Sequence, residues 1–444
     1  MSHVEAGHTR AAAPGFADAD AFCAEIASSS LFGVGEPVAV ARAPGRLDVL
    51  GGIADYSGSL VLALPLAAAA LAAAQIRRDG LVEAVSGDRR IVLPADDLLA
   101  APLTQLSRRF DGRDAWAAYV LGPIALLARE EEVDIRGMRI LISSDVPEGK
   151  GVGSSAAVEV AVLQAVNACL GLALEPRQLA LLGQRAEQLF AQAPCGAMDQ
   201  MAAACGREGE LLALLCRPAE IVGSIPLPAP LVLWGIDSGV PHAVAGVRYR
   251  RARCAAFMGK ALLGCGDEYL AALDPSAVQP ERLPEQLSGE EFLKLGLHVE
   301  DPFSIVEPNA VYPVRAATLY PLREQVRVRR YVELLARPVT DSRAHELGEL
   351  MAGSHAGYSS CGLGTARTDA LVGAVRKAGW ARGLAGARVS GGGSGGTVVI
   401  LGREDAEPLV GEIVREFGAG LVGGSSAGAA DFGVRVLANA GCGS

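Results

Sequence analysis

Residues Pro147–Ala161 read Pro-Glu-Gly-Lys-Gly-Val-Gly-Ser-Ser-Ala-Ala-Val-Glu-Val-Ala, and this stretch decides the fold. In front of it Met138, Ile140 and Ile142 alternate as a half-buried strand does, running into Ser144-Asp145-Val146-Pro147. Behind it Ser154–Leu170 is an unbroken Ala/Val/Leu stretch of helical length. A strand therefore feeds a glycine-rich turn that opens at once into a long helix. Gly149, Gly151 and Gly153 permit positive φ and close backbone approach to a ligand. Unpaired amides and the positive helix end favour an anion, most plausibly a polyphosphate. Ser154 and Ser155 either cap the helix or offer an oxygen to Mg²⁺. Lys150 either touches a phosphate or stays solvated.

The segment has other readings. It is no Walker loop, because no Gly-Lys-Ser/Thr closes a GxxxxGK pattern. Gly151, Gly153 and Ala156 do match the weak GxGxxA dinucleotide fingerprint, but Pro147–Lys150 separates it from the strand and no clear acidic strand end follows. The plain alternative is a capped helix in a tight connection.

Composition narrows the class. The chain has 444 residues, 50% of them hydrophobic and 20% charged, which describes a soluble globular protein of two or three domains. A net charge of -10 argues against nucleic acid or an anionic membrane as the main partner. The 9 cysteines are odd in number and lack CxxC spacing, so a disulfide framework or zinc site is not expected and a reducing cytoplasm is. No basic-then-apolar leader is read at the start. The longest apolar run, Leu60–Ala74, is shorter than the ~20 residues of a membrane span and is read as a strand end plus a buried helix.

Apolar strands alternate with Ala/Leu-rich helices, which predicts an α/β or α+β protein. Strands are predicted at Val38–Ala41, ending at Ala43-Pro44-Gly45, and at Leu60–Leu64, Met138–Ile142, Leu231–Ile236, Ala387–Val389, Thr397–Leu401 and Phe432–Leu437. Helices are predicted at Ser154–Leu170, Pro176–Phe190, Arg248–Leu263, Val332–Met351 and Asp369–Ala378. Residues 266–315 read as an insertion of short helices and loops, and Gly423–Ser426 as a plain loop. Prolines cluster at 218–230, which divides the chain into lobes 1–225 and 226–444.

Two further segments carry the same chemistry. Ala41–Leu66 packs Arg46, Asp48 and Asp55 between two strands, and Arg388–Leu401 is a glycine-rich hairpin far away in sequence. With the phosphate loop, these resemble the three signature motifs of the GHMP kinases in order, spacing and loop chemistry. Pro194–Gln200, PCGAMDQ, and Ile236–Cys254 are similar to segments of the galactokinase-like sugar-1-kinases. Gly51–Leu62, the phosphate loop and Cys361–Thr365 resemble most nearly the kinase domains of L-arabinokinases, and the chain is expected to hold that kinase unit alone.

The resemblance implies an α+β fold of two lobes. The N-terminal lobe would carry a mixed sheet and the phosphate loop, the C-terminal lobe would be ferredoxin-like, and substrates would lie between them. It implies ATP, Mg²⁺ and a free monosaccharide phosphorylated at C1, in a cytoplasmic monomer or homodimer without nucleic-acid or membrane partners. Asp199 would act at the sugar hydroxyl with Arg46 beside it. Ser155 and Glu187 would hold Mg²⁺, and Gly149, Lys150, Gly151, Val152, Gly153, Ser154 and Ser155 would surround the phosphates. Asp55, Gly52, Ile53, Cys195, Gly196 and Tyr249 would line the sugar, and Gly391, Gly392 and Gly393 would let the C-terminal lobe reach the loop. Phosphoryl transfer asks for positioning and charge neutralisation, which one carboxylate, one arginine, Mg²⁺ and a backbone nest supply.

The sugar reading comes from two positions. Galactokinases carry glutamate and histidine there, both reaching the C6 hydroxyl of galactose. This chain has Gly52 and Ile53 and keeps Asp55. L-Arabinopyranose shares galactose's ring stereochemistry but lacks that arm, so the loss removes groups that would be left unpaired at about 1–3 kcal/mol each, and Ile53 is expected to fill the space. The local alternatives are an Arg46 ion pair with Asp48 or Asp55, a solvated Glu187, a packed Cys195 thiol, and ordinary satisfied His242 and His355. At the level of function they are galactokinase activity, a sugar and ATP sensor, and a nicotinamide oxidoreductase using Gly151–Gly153.

Overall fold

The computed structural model of the chain describes residues 19–241, 246–424 and 434–437, and in it the alanine-rich segment 60–76 is one continuous strand. The N-terminal sheet consists of β1 (Val38–Leu50), β2 (Leu60–Ile76), β3 (Leu81–Ser86), β4 (Arg89–Pro94), β5 (Met138–Ser144), β6 (Glu210–Leu215) and β7 (Glu220–Pro226). Its pairs are antiparallel except for β3 with β5, so the sheet is mixed. The helix expected inside Leu60–Ala74 is therefore absent. Alanine favours helix locally, but β2 pairs with β1 along one side and, along the other, with β6 through Leu60–Ala63 and with β5 through Ala70–Ile76, and two-sided pairing overrides propensity. Small side chains there also let a helix pack close.

β1 likewise outruns its predicted end. It crosses Pro44 through a register shift before Arg46 and continues to Leu50. A Cβ at Gly45 would lie 2.7 Å from Val146 Cγ1 and 2.8 Å from the Val152 carbonyl, so the glycine lets the phosphate loop lie directly on the strand.

The helices of this lobe are α1 (Ala19–Ser28), α2 (Ala95–Ala100), α3 (Leu103–Ser107), α4 (Ala118–Glu130), α5 (Ser154–Leu170), α6 (Pro176–Phe190) and α7 (Met198–Cys205). α5 and α6 have their predicted limits, because their punctuation is local. Gly171 closes α5 in the left-handed region, and Glu175 with Gln178 forms a capping box ahead of Pro176.

The second lobe opens with β8 (Leu231–Asp237) and α8 (Val247–Leu263). Short pieces follow as predicted: β9 (Leu287–Ser288), α9 (Gly289–Lys294) and β10 (Val311–Tyr312). The long helices are α10 (Val314–Leu335), α11 (Asp341–Ser360) and α12 (Ala366–Ala378). The helix predicted over Val332–Met351 is thus two helices. Pro338 discourages continuation, and the Thr340 side chain accepts from the Arg343 amide to start α11. After β11 (Leu384–Val389), β12 (Thr397–Arg403), α13 (Glu407–Glu416) and β13 (Gly420–Gly424), the sheet order is β11-β12-β8-β13, all antiparallel. With helices between β8 and β11 and between β12 and β13, this is the ferredoxin-like arrangement.

β14 (Val434–Leu437) returns to pair with β1 in the first sheet; Phe432, Gly433, Ser425 and Ser426 lie outside the described residues. Gly423 and Gly424, read as loop, close β13. One core serves both lobes, joining Leu47 and Leu64 to Leu233, Val399 and Leu401. No helix among the described residues is long and apolar enough to cross a membrane.

A buried ion pair also joins the lobes. Arg388 Nη1 donates to Asp48 Oδ1 at 2.9 Å and to the Asp48 carbonyl at 3.1 Å, and both side chains are 0% exposed. Asp48 Oδ2 accepts from the Gly391 amide at 3.1 Å, and the Asp48 amide donates to Ser390 Oγ at 3.0 Å. Removing one partner of such a pair strands the other. Arg388→Leu should therefore cost about 3–5 kcal/mol of stability, read from urea unfolding, whereas an unchanged midpoint would refute it.

Candidate active site

The phosphate loop takes the conformation its glycines allow: φ is 68°, 70° and 73° at Gly149, Gly151 and Gly153. Gly153 is the N-cap of α5 and offers no side chain, so Ser154 and Ser155 are the first helical residues and do not cap. The first amides of a helix lack intrahelical partners, and here they face a cleft of about 520 Å³. Gly149, Gly151, Gly153, Ser154, Ser155, Glu187, Arg46 and Asp199 line it. Trp116, Tyr119, Ile142 and Val158 add an apolar lining; Trp116 and Tyr119 were missed in the sequence because they stand outside any motif.

Two residues of the loop turn elsewhere. Lys150 Nζ lies 2.7 Å from Asp237 Oδ2 at the end of β8, and its carbonyl accepts from Thr397 Oγ1 at 2.8 Å, so the lysine ties the loop to the C-terminal lobe. Val152 is buried in the core, and its carbonyl accepts from the Arg46 amide at 2.8 Å. Neither lines the cleft with its side chain.

Arg46 reaches across to Asp199, 153 residues away in sequence. Nε donates to Oδ1 at 2.9 Å and Nη2 to Oδ2 at 2.7 Å, while Nη1 holds the Gly151 carbonyl at 2.6 Å. This fork fixes the carboxylate beside the loop and puts a cation between them. The alternative pairings of Arg46 with Asp48 or Asp55 are not formed, because Asp48 belongs to Arg388. α7 begins at Met198 and places Asp199 in its first turn, a favourable seat for a carboxylate.

Glu187 is not a solvated helix glutamate but buried at 5% exposure. Burial pushes its carboxyl up, and hydrogen bonds from Ser155, Cys195 and Gln200 oppose the rise. The Cys195 thiol is itself held well above the ordinary value by burial and by Glu187, which suits a packed thiol and no nucleophile. The Gly196 Cα sits against Asp55: a Cβ there would lie 2.0 Å from Asp55 Oδ2. Tyr249 is buried, crosses Tyr56 edge-on at 6.1 Å, and donates to the Pro194 carbonyl at 3.3 Å. Arg253, unremarked in the sequence although it lies in YRRARC, holds the same carbonyl at 2.8 Å. Asp301 pairs with it through two bonds of 2.8 Å.

Position 52 was read as the loss of a polar side chain, with Ile53 filling the space of the missing sugar arm; the structure shows what surrounds the glycine. A Cβ at Gly52 would lie 1.8 Å from the Tyr358 hydroxyl and 2.7 Å from Arg388 Nη2, so the room is taken. That hydroxyl donates to the Gly391 carbonyl at 2.6 Å and accepts from the Ile53 amide at 2.9 Å. The Ile53 side chain packs in an apolar cluster with Tyr249, Met258 and Tyr358. Of the glycines in the third motif, Gly391 reaches the loop, where a Cβ would meet the Gly151 carbonyl at 2.9 Å. His355 is satisfied by Asp369 at 3.0 Å and by the Val389 amide, and His242 lies outside the described residues.

Burial, with Asp199 adding to it, raises the Asp55 carboxyl to about 7. The folded protein then keeps a proton that the unfolded chain releases, so this group costs stability as pH rises from about 4 to about 7. Asp55→Asn should gain in melting temperature relative to wild type across that interval, by an amount that grows with pH. A gap independent of pH would show that Asp55 is not linked to a proton.

Comparisons with known proteins give the family. The GHMP kinases N terminal domain matches residues 118–207, and the galactokinase galactose-binding signature matches 29–76. The chain is 36% identical to L-arabinokinase of Arabidopsis thaliana over 92% of its own length, and spans 47% of that relative's length. It is 31% identical to the galactokinase of Chloroflexus aurantiacus, with 82% of this chain and 84% of that one covered. Among solved structures, Lactococcus lactis galactokinase complexed with galactose superposes with a TM-score of 0.71 at 21% identity, covering 90% and 96% of the two chains. Methanococcus jannaschii mevalonate kinase gives 0.58 at 14% identity, covering 87% and 97%. The chain belongs to the GHMP kinase family, within its group of galactokinase and L-arabinokinase type.

Proposed function

We propose that the chain transfers the γ-phosphoryl group of ATP to the anomeric hydroxyl of L-arabinose, giving L-arabinose 1-phosphate and ADP. The observation that carries the chemistry is the Arg46–Asp199 fork held beside the phosphate loop, at 2.7 and 2.9 Å. Asp199 accepts the proton of the C1 hydroxyl as that oxygen bonds to phosphorus and the bond to ADP breaks. Each carboxylate oxygen keeps a free lone pair for this after bonding Arg46. Arg46 balances the charge that develops on the transferring group, and the loop amides orient the phosphates. The 520 Å³ cleft would take the nucleotide, with its base against Trp116 and Tyr119.

The donor set fits Mg²⁺. Ser155 and Glu187 are hard oxygens facing the same cleft, and no cluster of three or more His, Cys, Asp or Glu side chains occurs among the described residues. Two protein oxygens with phosphate and water completing the shell is how Mg²⁺ is ordinarily bound. The ion would neutralise phosphate charge.

The sugar reading is supported by the kinship to L-arabinokinase and by position 52, where glycine replaces a polar side chain and Tyr358 fills the space. D-Galactose is the second reading, favoured by the galactokinase relatives. ATP-dependent ADP release with each free sugar separates the two. kcat/KM should be higher for L-arabinose, with some galactose leakage, since an apolar pocket rejects an added hydroxyl by only about a hundredfold. Glucuronate should be poor, and galactose as the better substrate would overturn the choice of sugar.

Asp199→Asn should lower kcat by about a thousandfold or more while sugar and ATP still bind, combining proton and charge effects. Retention of more than about a tenth of wild-type kcat would remove Asp199 from this role.

A further inference from the structure

We propose that Gln200 and Glu159 are positioning residues for Glu187, aiming its carboxylate at the metal; the inference rests on the Mg²⁺ role given above to Glu187. Gln200 follows Asp199 on α7 and Glu159 lies one turn beyond Ser155 on α5, both 0% exposed. A single amide nitrogen serves both carboxyls. Gln200 Nε2 donates to Glu187 Oε2 at 2.6 Å and to Glu159 Oε2 at 3.0 Å. The three side chains come from three helices that meet behind the cleft wall, α5, α6 and α7. Glu187 Oε2 is thereby held from behind, leaving Oε1 as the oxygen that the amide does not bind.

The network is only half spent. Gln200 Oε1 and Glu159 Oε1 are buried and have no hydrogen-bond partner among the described residues. Buried polar atoms are nearly always paired, and an unpaired one costs stability. A network kept for stability alone would use its acceptors, whereas this one spends its two N–H bonds on orienting carboxyls and leaves the rest open. Because Gln200 adjoins Asp199, the same turn of α7 sets both the catalytic carboxylate and the support of the metal-binding one. Partners behind a metal ligand typically change metal affinity by about 10–100-fold when removed.

The test measures binding rather than turnover. The full chain is loaded with a non-hydrolysable ATP analogue, and Mn²⁺ affinity is read from the electron paramagnetic resonance of the free ion. Gln200→Met should raise the Mn²⁺ Kd about tenfold or more, with affinity for the metal-free nucleotide unchanged. Glu159→Leu should do likewise, and Glu159→Gln, which keeps shape and an acceptor, should restore binding. If Gln200→Met does not fold by thermal denaturation, Gln200→Asn carries the same expectation, since it keeps the amide but falls one methylene short of both carboxyls. Glu187→Ala is the reference. If it weakens Mn²⁺ while the Gln200 and Glu159 variants bind as wild type, the positioning inference falls and the metal assignment stands. If Glu187→Ala also leaves Mn²⁺ binding unchanged, the assignment itself has failed. A Glu159→Gln as weak as Glu159→Leu overturns the part given to Glu159.

Discussion

Asp48 and Arg388 are the contact on which the site's construction depends. They come from the first and third glycine-rich motifs, 340 residues apart, and meet with no solvent exposure. Both carboxylate oxygens of Asp48 are engaged. Oδ1 takes Arg388 and the Gly52 amide, and Oδ2 takes the Gly391 amide. Gly391 in turn lies against the Gly151 carbonyl of the phosphate loop, which Arg46 also holds. A buried charge pair is a poor stabiliser relative to apolar packing, but it tolerates little misplacement. Here it sets where the C-terminal hairpin stands over a loop belonging to the other lobe.

The site is built from groups that burial makes costly. Asp55 and Glu187 are carboxyls pushed upward by desolvation, and Gln200 and Glu159 leave acceptor atoms unpaired among the described residues. Such placements weaken the fold locally and are the usual sign of function. Rigid surroundings hold them. The Pro194 carbonyl is clamped by Arg253 and Tyr249, Arg253 is fixed by Asp301, and Lys150 binds the loop to Asp237. Cations thus position backbone here, while Arg46 and Arg89 line the cleft itself.

Local signals were legible where punctuation is chemical. Glycine at 153 and 171 and proline at 176 set the limits of α5 and α6. They misled where partners outside the segment decide. The alanines of β2 prefer helix until β1 and β5 flank them, and Pro44 ends a strand only if no bulge absorbs it. Gln200 and Glu159 lay inside quoted motifs without being noticed, because nothing in a linear pattern says that two helices will bring two glutamates to one amide.

The sequence by itself determined the order of three glycine-rich motifs and the strand, glycine-rich turn and long helix of the phosphate loop, whereas the roles of Arg46 and Asp199 were implied by the resemblance to the GHMP kinases. Motif order and loop are properties of residue type and short spacing, which backbone geometry translates almost directly. Only the tertiary structure decided what each charge faces. Arg46 bonds Asp199 and not Asp48, Lys150 bonds Asp237, Glu187 is buried, and Tyr358 takes the space beside Gly52. Burial and pairing depend on contacts between residues hundreds of positions apart, and the free energy that places a charge comes from those neighbours rather than from its own segment.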